Sequence, residues 1–155
     1  MKINRFFAVL LLALVISGCG DKPAKVTASS QHESYGPEGL LEAREPGWHS
    51  ASPPQYPQFL QIDLAKKEEI SYIAFLPQKG FDARLPKAIR IDASEDGKSW
   101  HAIAGSDNMC EINTNDGWVN LPFDKPRKIN FLKIIIFSNC DGGTWLTLRG
   151  VRYGK

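Results

Sequence analysis

Apolar positions along this chain recur with a period of two, and short polar runs rich in Gly and Pro separate them. In Phe59-Leu60-Gln61-Ile62-Asp63-Leu64, the residues Leu60, Ile62 and Leu64 share one face while Gln61 and Asp63 share the other. Ile70 to Leu76 is apolar on both faces, which predicts a central strand. Ile89, Ile91 and Ala93 alternate with Arg90, Asp92 and Ser94, and Asp96-Gly97 then supplies a turn before Trp100 to Ala104. Val119, Leu121 and Phe123 alternate, and Phe131 to Phe137 is the strongest β segment, with β-branched residues at its centre. Leu146 and Leu148 alternate before the apolar phase changes to Val151 and Tyr153, with Gly150 at the change predicting a β-bulge. No periodic stretch supports a helix longer than about two turns; Gly39 to Arg44 predicts one short turn. The expected fold is all-β, an antiparallel β-sandwich with functional residues on the loops at its ends.

Composition narrows the function. The 155 residues, 43% hydrophobic and 23% charged, suffice for one domain. Lys plus Arg is 19 against 17 Asp plus Glu. Removing Lys2 and Arg5 with the segment described next leaves 17 against 17. A neutral body gives no reason to expect nucleic acid as a partner.

The N-terminus reads as an address. Lys2 and Arg5 precede the apolar run Phe6 to Ile16. Eleven helical residues reach only about 16 Å, too short for a comfortable membrane span but suited to a secretory leader. Ile16-Ser17-Gly18-Cys19 then resembles a bacterial lipobox, which implies cleavage before Cys19 and lipid on its thiol and amine. The expected organisation is a lipoprotein signal peptide over 1–18, a lipid-anchored tether over 19–30 and one sandwich domain over 31–155. Gly20, where an inner-membrane retention signal commonly has Asp, favours the outer membrane by resemblance to enteric lipoproteins. Multiple acyl chains give stable attachment.

With Cys19 assigned to lipid, Cys110 and Cys140 remain. An even pair in an oxidising compartment is a disulfide candidate. Two free buried thiols are the alternative; a metal or redox pair has neither Cys-x-x-Cys spacing nor a nearby His to support it.

Four segments in order carry a resemblance to a known family. They are Leu40 to Ser50 (with Trp48-His49-Ser50), Phe59-Leu60-Gln61-Ile62-Asp63-Leu64, Ile89 to Trp100 (with Ser94-Glu95-Asp96-Gly97-Lys98-Ser99-Trp100) and the closing Arg149 to Gly154. Together they resemble the coagulation factor 5/8 C-terminal, or discoidin, family, a galactose-binding-like jelly roll, over residues 28 to 155. The resemblance implies a binding module for glycans, with an aromatic plate for the sugar ring and polar groups for its hydroxyls. On that basis Trp145 is the expected stacking residue, with an inward core Trp as its alternative. Arg84 and Asp82 are expected hydroxyl ligands from the 79–84 loop, where a solvated surface pair is the plain reading. His49 is expected either to contact ligand or to hold its loop, and Asn139 and Asp141 are further candidates. Trp48 and Trp100 are expected in the core; Trp118 is open.

Many relatives hold structural calcium near the position of Glu42. Here Glu42-Ala43 replaces the usual Asp-Gly, Gly47 stands where Thr is expected, and Gly150 aligns with the family's Glu; these departures count against calcium, for which Glu42 is the candidate ligand, and no other cofactor is expected. His32, His49 and His101 have no metal-ligand spacing, and no nucleophile or phosphate-loop motif occurs, so no enzyme is expected. The expected partners are a glycan or polysaccharide and, through lipid, the membrane of the cell envelope. The alternative is a protein-assembly lipoprotein on the same scaffold. Insertion of loop tips into phospholipid ranks last, because the loops carry no run of apolar residues.

Overall fold

The computed structural model describes residues 23–155 apart from 113 and 116; the leader and Cys19 lie outside the described residues. Among the described residues nine strands follow in order: β1 (Lys25–Ala28), β2 (Trp48–His49), β3 (Gln58–Leu76), β4 (Ile89–Ser94), β5 (His101–Ser106), β6 (Thr114–Asn115), β7 (Trp118–Ile136), β8 (Thr147–Leu148) and β9 (Gly150–Gly154). Helical structure among the described residues is confined to 3-10 turns at Pro37–Glu42, Asp82–Arg84 and Met109–Glu111.

Two strands of 19 residues dominate. A straight strand of that length would run roughly 60 Å, far beyond the size of so small a domain. Both therefore fold over a corner. β3 and β7 pair from Gln58↔Ile136 to Asp63↔Phe131, resume at Glu68↔Ile129, and shift again between Ile70↔Arg127 and Tyr72↔Pro122. The extra residues lie on β3 at the first shift and on β7 at the second, and such insertions sharpen bend and twist. Ala65 sits at the first corner with φ 65°, its N–H donating to Asp63 Oδ1 at 2.9 Å. The runs Phe59–Leu64 and Ile70–Leu76, expected as separate strands, are the two ends of β3. Val119–Phe123 and Phe131–Ile136 are likewise the two ends of β7.

Each end joins a different layer. The first half of β3 pairs with β1, and the second half of β7 pairs with β4, which carries β5. The second half of β3 pairs with β9, and the first half of β7 with β6. Leu60, Ile62, Ile91, Leu132 and Ile134 from one layer meet Ile73, Phe75, Val119, Leu121 and Val151 from the other in one core. This is the antiparallel all-β fold that the alternation predicts. Trp48, fully buried, donates from Nε1 to the Ser30 carbonyl at 3.0 Å. Trp100 departs from expectation. It lies outside the core, with Lys133 Nζ 4.0 Å from its ring centroid.

Two boundaries move. Lys25–Ala28, expected within the tether, is a strand paired from Lys25↔Asp63 to Ala28↔Leu60, with Val26 buried. The sandwich therefore already includes Lys25–Ala28, ahead of the expected boundary at 31. The phase change at Gly150 is a change of partner: β8 pairs with β2, and β9 starts on β3 at Leu76↔Gly150. Cys110 and Cys140 are joined by a disulfide, which removes the free-thiol alternative.

Candidate functional site

Four loop segments meet at one end of the sandwich, around residues 32–35, 49–56, 81–85 and 139–145, and backbone hydrogen bonds stitch them together. His32 N–H donates to the His49 carbonyl (2.9 Å), His49 N–H to Tyr35 (3.1 Å) and Ser50 N–H to Leu146 (2.9 Å). Asp141 N–H donates to Ala83 (2.8 Å) and Cys140 N–H to Leu85 (3.0 Å). Ser50, fully buried, accepts the Leu146 N–H on its hydroxyl at 3.2 Å. Asn139 is 4% exposed, and its Nδ2 donates to the carbonyls of Gly143 (3.2 Å) and Trp145 (2.7 Å). A side chain so buried and so engaged shapes the Trp145 loop rather than meeting a ligand, which is the physical reason to move Asn139 from contact to support.

On this frame four rings form a cluster. His32 stacks on Tyr35 (centroids 4.8 Å apart), Tyr35 lies 4.4 Å from His49, and Trp145 lies 5.6 Å from His32 and 6.1 Å from His49. Trp145 is only partly buried and stands outside the core. The inward alternative for it is therefore excluded. Arg84, half-buried at the end of its 3-10 turn, holds its guanidinium carbon 4.2 Å from the centroid of Phe81, which is 44% exposed.

The charges follow the same geometry. Burial pushes the His49 imidazolium pKa down, the nearby Arg84 and His32 push it further, and the Pro46 carbonyl offsets part of the shift. His49 Nε2 is buried without a hydrogen-bond partner. Nδ1 of His32 accepts the Ser34 N–H at 3.2 Å. Burial raises the Tyr56 phenol and the Asp141 carboxylate adds to it, while the Asn139 backbone pulls the other way, so Tyr56 borders the same rim. Asp82 departs from the cluster. It is exposed and lines a neighbouring groove of about 580 Å³ with Leu85, Met109, Ile112 and the disulfide. The structure thus brings Trp145, His49 and Arg84 together, uses Asn139 beneath them, and leaves Asp82 to one side.

A model of the F5/8 type C domain matches residues 25–149. The chain belongs to the F5/8 type C domain family. Among solved structures, this domain is similar to the family 32 carbohydrate-binding module of Clostridium perfringens NanJ in complex with galactose. The TM-score is 0.69 at 18% identity, covering 84% of this chain and 92% of that one. It is also similar to a Clostridium perfringens module in complex with GalNAc-β-1,3-galactose (TM-score 0.65, 22% identity, 85% and 95% covered). A third similar structure is the family 32 module of AlyQ in complex with 4,5-unsaturated mannuronic acid (TM-score 0.65, 16% identity, 83% and 92% covered). No curated protein matches the chain.

Calcium does not suit the Glu42 loop of this F5/8 type C domain. Glu42 is held 2.7 Å from Arg44 Nε, so a cation already occupies its carboxylate. A Cβ on Gly150 would lie 2.9 Å from both the Ala43 Cβ and the Trp118 ring, leaving no room for an acid. At Gly47 (φ 80°) a Cβ would come within 2.4 Å of the Leu148 carbonyl oxygen. Among the described residues no group of three His, Cys, Asp or Glu side chains could hold a metal ion.

Sequence reasoning passes over His32, Tyr35, Tyr56 and Phe81. His32 and Tyr35 lie in the stretch just before the short turn, where no periodicity marks them. Phe81 carries a readable signal: a large apolar side chain inside the polar run Lys79-Gly80-Phe81-Asp82.

Proposed function

We propose that this F5/8 type C domain is a non-catalytic carbohydrate-binding module, held at the cell envelope by lipid on Cys19. The observation that carries the sugar reading is the partly exposed Trp145 set against His49 and His32, with Arg84 beside them. An indole offers a flat apolar face to the C–H face of a pyranose, and guanidinium and imidazole supply hydrogen bonds to its oxygens. The sugars bound by similar family 32 modules support the same reading. Expected affinity is modest, because a few polar contacts and one stacked face must offset desolvation and ordering of both partners.

A glycan array probed with the chain tests it. Trp145→Ala abolishes retention on the bound glycan while leaving the melting temperature nearly unchanged, since Trp145 stands outside the core. Equal retention by the variant refutes this site. The lipid anchor is tested by labelled palmitate, which the chain incorporates and Cys19→Ser does not, and its outer-membrane placement by density fractionation of the two membranes.

A protein-assembly role has its own observation. Phe59 (36% exposed) and Phe137 (45% exposed) flank Ile135 on the outward face of the first layer. One stoichiometric crosslinked partner from envelope fractions, together with an empty array, favours that reading.

A further inference from the structure

Among the described residues, ion pairs engage several arginines but neither Arg84 at the rim nor Arg152, which lies against the Trp118 ring. Arg44 pairs with Glu42, Arg90 with Asp92, Arg127 with Asp124 and Arg149 with Glu45. Among the described residues, the Arg84 guanidinium has neither an ion pair nor a hydrogen bond, and its recorded contact is the ring of Phe81. Asp82, two residues away on the same turn, does not reach it within ion-pair distance. The Phe81 ring lies against the guanidinium, whose N–H groups stay unbonded. A planar fork held in this way matches the two oxygens of a carboxylate. His49 is close enough to feel the Arg84 charge, and the Asp141 carboxylate accepts its bond from the Gly143 N–H at 2.7 Å. A neutral hydroxyl would use one or two of these donors, whereas a carboxylate uses the fork as a unit.

We propose that the ligand is an acidic saccharide whose carboxylate seats on the free guanidinium edge of Arg84 while its ring packs at Trp145. This rests on the reading of the rim as a sugar site, and it names the class of sugar. The bond is charge-assisted and half-exposed, so it is salt-sensitive.

The test is titration calorimetry of the full chain with matched methyl glycosides that differ in the C6 group: galacturonate with galactose, glucuronate with glucose, and mannuronate with mannose. In at least one pair the acid binds about tenfold more tightly or better in low salt, and the advantage shrinks in 0.5 M salt. Arg84→Gln reduces the acid to the affinity of its neutral partner, and Arg84→Lys keeps part of the advantage because a point charge replaces the fork. Unchanged thermal melts of both variants show that folding is intact. Neutral sugars that bind as well as their acids in all three pairs, or an acid advantage that survives Arg84→Gln, overturn the carboxylate assignment and leave the sugar site standing. Failure of every sugar, with oligosaccharides of pectin and alginate included, overturns the sugar site itself.

Discussion

Removing the Cys110–Cys140 disulfide by the paired substitution Cys110→Ser and Cys140→Ser should cost global stability more than it costs the site. The bridge closes a loop with a sequence separation of 30. In the chain-entropy model that loop restricts the unfolded chain by roughly 12 cal/mol/K, or about 3.5 kcal/mol at 25 °C. Little else offsets this, because Cys110 is exposed and Cys140 only partly buried, so two serines open no large cavity. The folded loops keep their own fastenings on both sides of the bridge: Met109 N–H to Lys87 (2.9 Å), Lys87 N–H to Ser138 (2.8 Å), Cys140 N–H to Leu85 (3.0 Å) and Asp141 N–H to Ala83 (2.8 Å). Two of these, from Cys140 and Asp141, hold the Trp145 loop against the 79–85 loop without sulfur. Urea unfolding should therefore show a loss of about 3 to 4 kcal/mol with a larger m value, since the unlinked unfolded chain exposes more surface. In heat the midpoint should drop by about 10 °C for a domain of this size. Ligand affinity measured well below that midpoint should stay within about twofold. A loss below about 1 kcal/mol with an unchanged m value would refute the unfolded-state argument. Full stability with lost binding would show that the bridge acts on the loop and not on the unfolded chain.

Two further outcomes follow from named side chains. Asn139→Ala leaves the Gly143 and Trp145 carbonyls without their shared donor and should lower stability in urea by about 1 to 3 kcal/mol while weakening ligand binding through the displaced indole; Asn139→Asp, which sets a carboxylate against the same two carbonyls, should be worse. Asp96 accepts the N–H groups of Lys98 (2.8 Å) and Ser99 (2.7 Å), and these bonds hold its carboxyl at a pKa of about 2. Its pKa is depressed in the folded state, so its contribution is complete above about pH 4 and is lost as pH falls through about 2; acid titration of stability should flatten in that window in Asp96→Asn.

The fold was legible where one face of a strand meets the core. Leu60, Ile62 and Leu64, Ile89 and Ile91, and Val119 and Leu121 all point inward as their alternation predicts, because burial on one face forces a period of two. Alternation says nothing about where a strand stops being straight. Ala65-Lys66-Lys67-Glu68-Glu69 reads as a connection by composition, yet it is the corner of a continuous strand, and only pairing with β7 reveals this. Lys25–Ala28 hides from the sequence for a related reason. A four-residue edge strand with one buried side chain, Val26, carries too little pattern to separate it from a polar tether.

The site was legible in part because its chemistry and its geometry have different sources in the chain. Trp145, Arg84 and His49 are residue types suited to sugars on expected loops, and family resemblance supplied the positions. What no local pattern encodes is which neighbour already satisfies a side chain. Asn139 and Arg84 are equally polar in sequence, but the turn at Gly143 folds back onto Asn139 and engages its amide, whereas the Arg84 guanidinium meets the Phe81 ring and keeps its N–H groups unbonded. The Asn139 amide is thereby spent within its own loop while the Arg84 guanidinium keeps its donors, and the difference is set by the path of two loops that meet only after β3 and β7 have turned their corners. The rim's chemistry therefore depends on sheet geometry far from it: a change that straightened the bend at Ala65 would move the loops that carry Trp145 and Arg84 without touching either residue.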